Sequence, residues 1–571
     1  MKIPCRPLVY WGTVFLFLAG AVAALKPGAV WITDNGNKYM MMRNIAAGNG
    51  LQISHPVPAL FPTGGFHFIK EKETVHSFYP EFLSAFTVPF YKLFGERGIL
   101  FFPLCATLLL LFLAWRHWHI PPPLLLLSTP LCFYSLLLWE MTPSVFLVTA
   151  ALLLVLRERF FAAGALLGIS LLMREEAYFV CAALGAALLF SRKWDALLKF
   201  SAGFLLPASL VWIYQYTAHG HILGKHGKYY YLNNNGSFSL VTQLKAAYFN
   251  YFHHLLRFDG WGNSPWNALC FSILPVIAAG AAPGFRKWHT FKLCAAGLYL
   301  GAVAILALGL CFQKNIIYAS SLLTGFLTAT PVMLGFFLNW RSFLRWRRMR
   351  LLTLFALFYI LGVPPLMTAS DVGLIWGARH FMVLMVLCVF LSYCGFRLMG
   401  IRKFRKNVFN AKQLIPASAA VLSIAIQLYG LYALYTVSTG THTLEERLLA
   451  RPEKVIVTDI FYLPELMPRL FFEKTLLQVI TPKDLKELEN YFKSQKELSL
   501  SSGAKSDKSF LLLLSPDPQF RRMSDGVLKS LLMRHPLTAP PGRMTAPAKF
   551  PDIFAATALT EVPHPAEQKK L

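Results

Sequence analysis

Acidic residues are scarce in this sequence: 28 Asp and Glu stand against 55 Lys and Arg, for a formal net charge of +27. Charged residues of both signs make up only 15% of the chain. In a soluble protein such a positive excess would point to nucleic acid. Here the basic residues sit in short segments between apolar runs, so the excess reports orientation in a membrane, and no nucleic-acid partner is implied. The 9 cysteines contain no CxxC pair and no Cys/His ligand spacing, which removes a disulfide-stapled or zinc-bound framework. They read as small apolar residues. Neither GxGxxG nor a P-loop occurs, so neither of these nucleotide cradles is present. His55, His67 and His76 match no strong metal motif. No cofactor is implied, with a divalent metal left open.

What the chain has in quantity is apolar sequence: 56% of its 571 residues are hydrophobic, and the mean hydropathy is +0.49. Apolar stretches near 8–25, 98–115, 120–139, 143–156, 160–173, 177–190, 200–217, 265–284, 291–311, 316–339, 350–369, 378–396 and 413–436 have the spacing of membrane helices, about thirteen in all. The stretches near 143–156, 160–173 and 177–190 are short for about 30 Å of hydrocarbon, and dropping one pair leaves eleven. The first run follows Lys2 and Arg6, as in a cleaved signal peptide, but its length favours a retained anchor.

Sidedness follows from the loops. With the N-terminus in the cytoplasm, the inside loops are "RHWH", "RERF", "RKWDALLK", "FRKWHTFK", "RSFLRWRRMR" and "FRLMGIRKFRKNVFNAK", whose only acids are Glu158 and Asp195. An odd count of spans then puts two long loops, 26–97 and 218–264, and everything after residue 436 outside. The expectation is an α-helical polytopic membrane domain over 1–438, with first outer loop 26–97, and an extracytoplasmic α/β domain over 439–571 with an irregular Pro-rich tail. In that last part "KVIVTD", "TLLQVIT" and "SFLLLLS" read as strands, and "FYLPELMPRLFFEK", "PKDLKELENYFKSQK" and "DPQFRRMSDGVLKSLLMR" as helices, an alternation that suggests a parallel sheet.

The first outer loop opens with "WITDNGNKYMMMRNIAAGNG". Its pattern predicts a helix over 36–47 lying in the interface with its apolar face down, and "HSFYPEFLSAFTVPFYKLFG" (76–95) predicts a second. In the plain structural reading Asp34 or Asn35 is the N-cap of the first helix. Two further outer-face elements carry charge. "LLMREEAYF" places Arg174, Glu175 and Glu176 between two short apolar runs, at a depth where charge is costly and faces a cavity or a partner. "IWGARHF" places Arg379 and His380 at the mouth of a late span. The bland alternatives are a self-satisfied Arg–Glu turn and a snorkelling helix-end anchor. The convergence of an acid with two arginines is what favours chemistry, since the planar guanidinium makes paired bonds to phosphate.

This ordered set resembles the GT-C superfamily of integral membrane glycosyltransferases, whose bacterial members include lipid A aminoarabinose transferases and protein O-mannosyltransferases. The resemblance covers about residues 8–436 and rests on the set as a whole, no single string being diagnostic. It implies a sugar, hexosyl or pentosyl, moved from a polyprenyl-phosphate donor to an acceptor hydroxyl on a lipid, glycan or protein, with membrane lipids as surroundings. Asp34 matches the loop acid that acts as base. "YPEF", with Tyr79 and Glu81, resembles the family's Pro-Pro-Leu-type helix start. The lysine that often precedes those prolines is absent, and Lys72 or Lys70 stands nearest to fill its place. "GARHF" resembles the Gly-x-Arg-Tyr element, with His380 in place of Tyr. Arg379, Arg174 and Lys72 are the expected partners of the donor phosphate, with Glu175, Glu176, Tyr79, Glu81 and His380 in support. Two other classes remain: a lipid-sugar flippase or transporter, for which no internal repeat is visible, and a polysaccharide polymerase or ligase, which more often elaborates a late outer loop.

Overall fold

The computed structural model describes residues 7–225 apart from 27, 29, 54, 56, 62–67, 72–73 and 78; it also describes 251, 269, 271–282, 289–311, 325–366, 379–398, 411–459, 463–494 apart from 480, 482, 485 and 492, and 510–513. The fold is helical and polytopic, with a small amount of sheet. Among the described residues seven helices are long and apolar enough to cross a membrane: Pro7–Ala24, Phe82–Trp118, Trp194–His219, Thr290–Gly309, Arg347–Pro365, Arg379–Leu398 and Gln413–Leu449. The three short runs singled out above form the shorter apolar helices Met141–Leu156, Phe160–Ser170 and Ala177–Phe190. The chain is a multi-pass membrane protein. Its residues fall into two compact units, one formed by Met1–Ala24 with Leu100–Tyr435, the other by Leu25–Ile99 with Thr436–Leu571.

In the first unit the helix Met382–Leu398 is buried along nearly its whole length, while Pro7–Ala24 leaves Leu8 and Leu16 outward, as lipid-facing residues are. Two of the expected spans are not continuous. The stretch 120–139 holds the short helices Pro122–Leu127 and Leu131–Tyr134, and the described part of 316–339 holds Phe326–Ala329, a 3₁₀ turn Pro331–Met333 and Leu334–Phe337. Proline is the local cause: Pro121, Pro130 and Pro331 lack the N–H that would continue the ladder. Such breaks persist in an apolar medium only where neighbours satisfy the freed backbone groups. They do so in the second stretch: Ser423 Oγ accepts from Val332 N–H at 2.8 Å, Ser392 Oγ from Phe336 N–H at 3.0 Å, and the Gln427 amide donates to Ala329 O at 2.7 Å. These broken pieces are buried.

Close helix crossings are built on glycine. A Cβ at Gly164 would lie 2.0 Å from Phe200 O, and one at Gly203 the same 2.0 Å from Phe161 O, so Phe160–Ser170 and Trp194–His219 meet backbone to backbone. This is how helices associate where the hydrophobic effect offers nothing between them.

The second unit begins with helix Thr33–Ala46, followed by a three-stranded antiparallel sheet: β1 (Gln52–Ile53), β2 (Phe68–Glu71) and β3 (Thr74–Ser77), in the order β1-β3-β2. Helix Phe82–Phe94 comes next. Helices form at both places expected in the first loop, but the first starts earlier, at Thr33, and buries its polar residues as well as an apolar face, while His76 and Ser77 belong to β3 and the second helix starts later, at Phe82. Thr33–Ala46 buries polar and apolar residues alike, because it packs against Phe82–Phe94 and against the short helices Leu463–Leu466 and Pro468–Glu473. From the C-terminal part come β4 (Val455–Thr458), β5 (Thr475–Gln478) and β6 (Phe510–Leu513), all parallel, in the order β5-β4-β6. The alternation read from the sequence thus yields the parallel sheet. The single helix expected over "FYLPELMPRLFFEK" is two, because Pro468 starts the second. The helix expected over "DPQFRRMSDGVLKSLLMR" lies outside the described residues. One core joins the two ends of the unit: Met40, Phe61, Phe68 and Val75 pack with Leu448, Ile456, Leu470 and Leu476. His55 ties them further, its Nε2 lying 2.9 Å from Leu476 O.

Candidate functional site

Two buried clusters of ionisable residues stand out, one in each unit. In the second unit the cluster grows from the first two turns of Thr33–Ala46. Ile32 holds the N-cap position, so Asp34 is not the cap; Asn35 Oδ1, at N3, accepts from Ile32 N–H at 3.4 Å. Asp34 sits at the second helical position, where the helix dipole favours negative charge. It is 5% exposed, and the Tyr79 hydroxyl donates to its Oδ1. Lys38 lies one turn on, 1% exposed, with Nζ 4.1 Å from the centroid of the Tyr79 ring. Ser77 Oγ donates to Asn37 Oδ1 at 2.5 Å. Glu465, from the C-terminal part, completes the group: it is buried and feels the charge of Asp34. Burial first, then the Asp34 charge, push its carboxyl well above the usual carboxylate range, against a hydrogen bond from Asn37 that pulls the other way.

A second layer surrounds this group. The Tyr39 hydroxyl donates to Glu96 Oε1 at 2.8 Å, and burial together with that carboxylate raises the phenol. Arg469 reaches the same Glu96 at 3.3 Å and Glu446 at 2.5 Å. Glu445 Oε1 accepts from the backbone N–H groups of Arg469 and Leu470 at 2.9 and 3.2 Å, and so caps the start of Pro468–Glu473. Glu81 is buried immediately before Phe82–Phe94.

In the first unit Arg174 is held by two acids. Its Nε donates to Glu176 Oε2 at 2.8 Å, its Nη1 to Glu140 Oε1 at 2.9 Å, and its Nη2 to Glu176 Oε1. His380 Nδ1 lies 2.9 Å from the same Glu176 Oε1. Arg379 Nε lies 3.3 Å from His380 Nε2, and the Tyr359 hydroxyl donates to His380 O at 2.8 Å. The two charged elements that the sequence places at the outer face are therefore one network, joined through Glu176. Arg174, Glu140 and Glu176 are each at most 9% exposed, a depth at which ions persist only when paired.

Of the residues singled out in the sequence, Asp34, Tyr79 and Glu81 belong to the second unit, and Arg174, Glu175, Glu176, Arg379 and His380 to the first. Asp34 is joined to Tyr79, and Arg174 to Glu176 and His380. Lys72 lies outside the described residues. Among the described residues no group of three or more His, Cys, Asp or Glu side chains is placed to hold a metal ion. The sequence reading missed Lys38, Glu140, Tyr359 and Glu465. Lys38 had a signal, the i, i+4 spacing from Asp34. Glu140 had one too, as an acid in a short outer loop. Glu465 had none, since its 431-residue separation from Asp34 hides the contact.

No family model matches the sequence, and no curated protein matches it. Among solved structures, the apo-state crystal structure of ArnT from Cupriavidus metallidurans is similar in fold, at 12% identity and a TM-score of 0.46, over 94% of this chain and 97% of that one.

Proposed function

We propose that this protein is a membrane glycosyltransferase that moves a sugar from a polyprenyl-phosphate-linked donor to an acceptor hydroxyl at the outer face of the cell membrane, inverting the anomeric centre. The observation that carries the reading is the buried carboxylate of Asp34, oriented by the Tyr79 hydroxyl at the start of a helix that directly follows the first apolar run. The sequence resemblance to GT-C enzymes supports the same assignment. Asp34 takes the proton of the acceptor hydroxyl as its oxygen bonds to the anomeric carbon. The bond from that carbon to the phosphate oxygen breaks through an oxocarbenium-like state, and its electron pair leaves with the lipid phosphate. A single base and direct displacement give inversion.

The phosphate gains charge and requires a fixed cation. Arg379 is the first candidate, with Lys72 in reserve. Arg174 has its guanidinium engaged by Glu140 and Glu176, which suits it to hold His380 in place through Glu176. Glu175, Glu176, Glu81 and His380 are supporting residues. The N-terminus is assigned to the cytoplasm and the 439–571 domain to the outside, on the basic loops. The test is an assay of purified protein in nanodiscs with a panel of polyprenyl-phosphate sugars and mixed lipid, glycan and peptide acceptors, the product anomer being read by NMR. Transfer with inversion supports the reading. Movement of the lipid-linked sugar across the bilayer without transfer would replace it with a flippase.

A further inference from the structure

Glu465 is a buried acid delivered from the far end of the chain. It lies on the four-residue helix Leu463–Leu466, is 2% exposed, and packs against Thr33–Ala46 within the same unit. The approach depends on a missing side chain. A Cβ at Gly36 would lie 1.4 Å from Glu465 O, 2.3 Å from its carbonyl carbon and 2.9 Å from its Cα. These are backbone atoms and have no rotamer by which to move aside. The contact therefore fixes Glu465 against the turn that carries Asp34. Asn37, the residue after Gly36, donates a hydrogen bond to the Glu465 carboxyl while its own Oδ1 accepts from Ser77.

Asp34 and Glu465 are both buried, on helices that pack together, and two buried carboxyls near each other resist ionising together, so that they titrate as a pair. Among the described residues, charged and titratable groups near this pair include Lys38 on the same helix as Asp34, and Tyr79 and the buried Glu81 ahead of Phe82–Phe94. Arg469, on the helix after Glu465, is engaged by Glu96 and Glu446. The Tyr79 hydroxyl donates to Asp34, which favours the negative charge there. We propose that Glu465 is a positioning residue: the C-terminal segment delivers it through the Gly36 contact to hold the shared proton, leaving the carboxylate charge on Asp34. The inference rests on the reading of Asp34 as base.

Linkage sets the sign of the test. Glu465 has a folded pKa above its ordinary value of 4.5, so its contribution to stability is complete below that value and is lost as pH rises toward the folded one. Thermal unfolding of the full chain in nanodiscs, followed from about pH 5 to about pH 9, reads this directly. In Glu465→Gln, which is neutral throughout, the fall in melting temperature with rising pH is smaller than in wild type. In Asp34→Asn the fall moves to lower pH, because the charge that helps hold the proton is gone. In the transfer assay Glu465→Ala loses rate more than tenfold, Glu465→Gln recovers most of it, and the alkaline limb of the wild-type pH–rate profile disappears in Glu465→Gln.

A melting slope in Glu465→Gln equal to that of wild type overturns the proposal. So does a flattened slope with an unmoved pH–rate profile, which makes Glu465 a structural group only. Absence of transfer by wild type with every donor removes the reading of Asp34 as base, and the positioning role with it. In that case the melting curves still report separately whether the two acids share a proton.

Discussion

At the scale of single residues the question is which charges react and which hold others in place. Asp34 is not a cap, and the Tyr79 hydroxyl that donates to its Oδ1 can donate equally to an amide oxygen. Asp34→Asn is expected to fold and to lose transfer by about 10² to 10⁴, the range of general-base assistance. A wild-type rate in that variant moves the base to another acid. Arg174 answers differently. Removing it leaves Glu140 and Glu176 buried without their cation, a loss of about 3–5 kcal/mol. Arg174→Ala is therefore expected to show a large drop in melting temperature in nanodiscs. Unchanged melting with weakened donor affinity alone would make Arg174 a direct phosphate partner. Asp34 and the two charged elements at 174–176 and 379–380 were legible in the sequence because ions next to apolar runs are rare and conspicuous. Glu465 was not, because in its own neighbourhood it is an ordinary helical acid, and only the tertiary approach to Gly36 gives it a partner.

At the scale of elements, glycine decides where backbones touch. Gly36 sits inside a helix, where alanine would be favoured by about 1 kcal/mol on propensity alone. The overlap with Glu465 outweighs that gain, so Gly36→Ala is expected to destabilise the second unit, read as faster hydrogen exchange in β4 and in the two short helices after it. Exchange as slow as wild type would mean that the Leu463–Leu466 contact yields without cost. Gly203→Ala tests the membrane crossing by the same physics, since Phe161 O stands where its methyl would go. A loss of about 1–3 kcal/mol is expected, measured by unfolding in mixed micelles, and a neutral result would show that Trp194–His219 slides to make room. Long spans and the parallel strands were readable in the sequence because their periodicity and their flanking residues agree. The pieces at 120–139 and 325–339 were not, since an apolar run has the same composition whether or not its backbone is continuous. The side chains that repair the break at 325–339, Ser392, Ser423 and Gln427, lie far along the sequence.

At the scale of the whole molecule, the net charge of +27 has to be partitioned between two faces of a bilayer. The basic segments around 116–119, 192–199, 341–350 and 396–412 carry enough Lys and Arg to fix their side, because translocating each such cation is costly and the rule counts positive residues in short loops. The broken segments do not alter this count, as parity depends on which loops are basic and not on whether each span is one helix. The two ends of the second unit, Leu25–Ile99 and Thr436–Leu571, share a core, so they must be on the same side. That condition requires an even number of crossings between residues 99 and 436, and the basic loops satisfy it with a cytoplasmic N-terminus. Reporter fusions after positions 118, 196, 290, 345 and 405 are expected to read as cytoplasmic, and fusions after 60, 240 and 450 as outside. A cytoplasmic signal at 450 with an outside signal at 60 would contradict the shared core itself. Cytoplasmic signals at both would keep the core, reverse the molecule, and put Asp34 on the face opposite to the one proposed for the donor sugar.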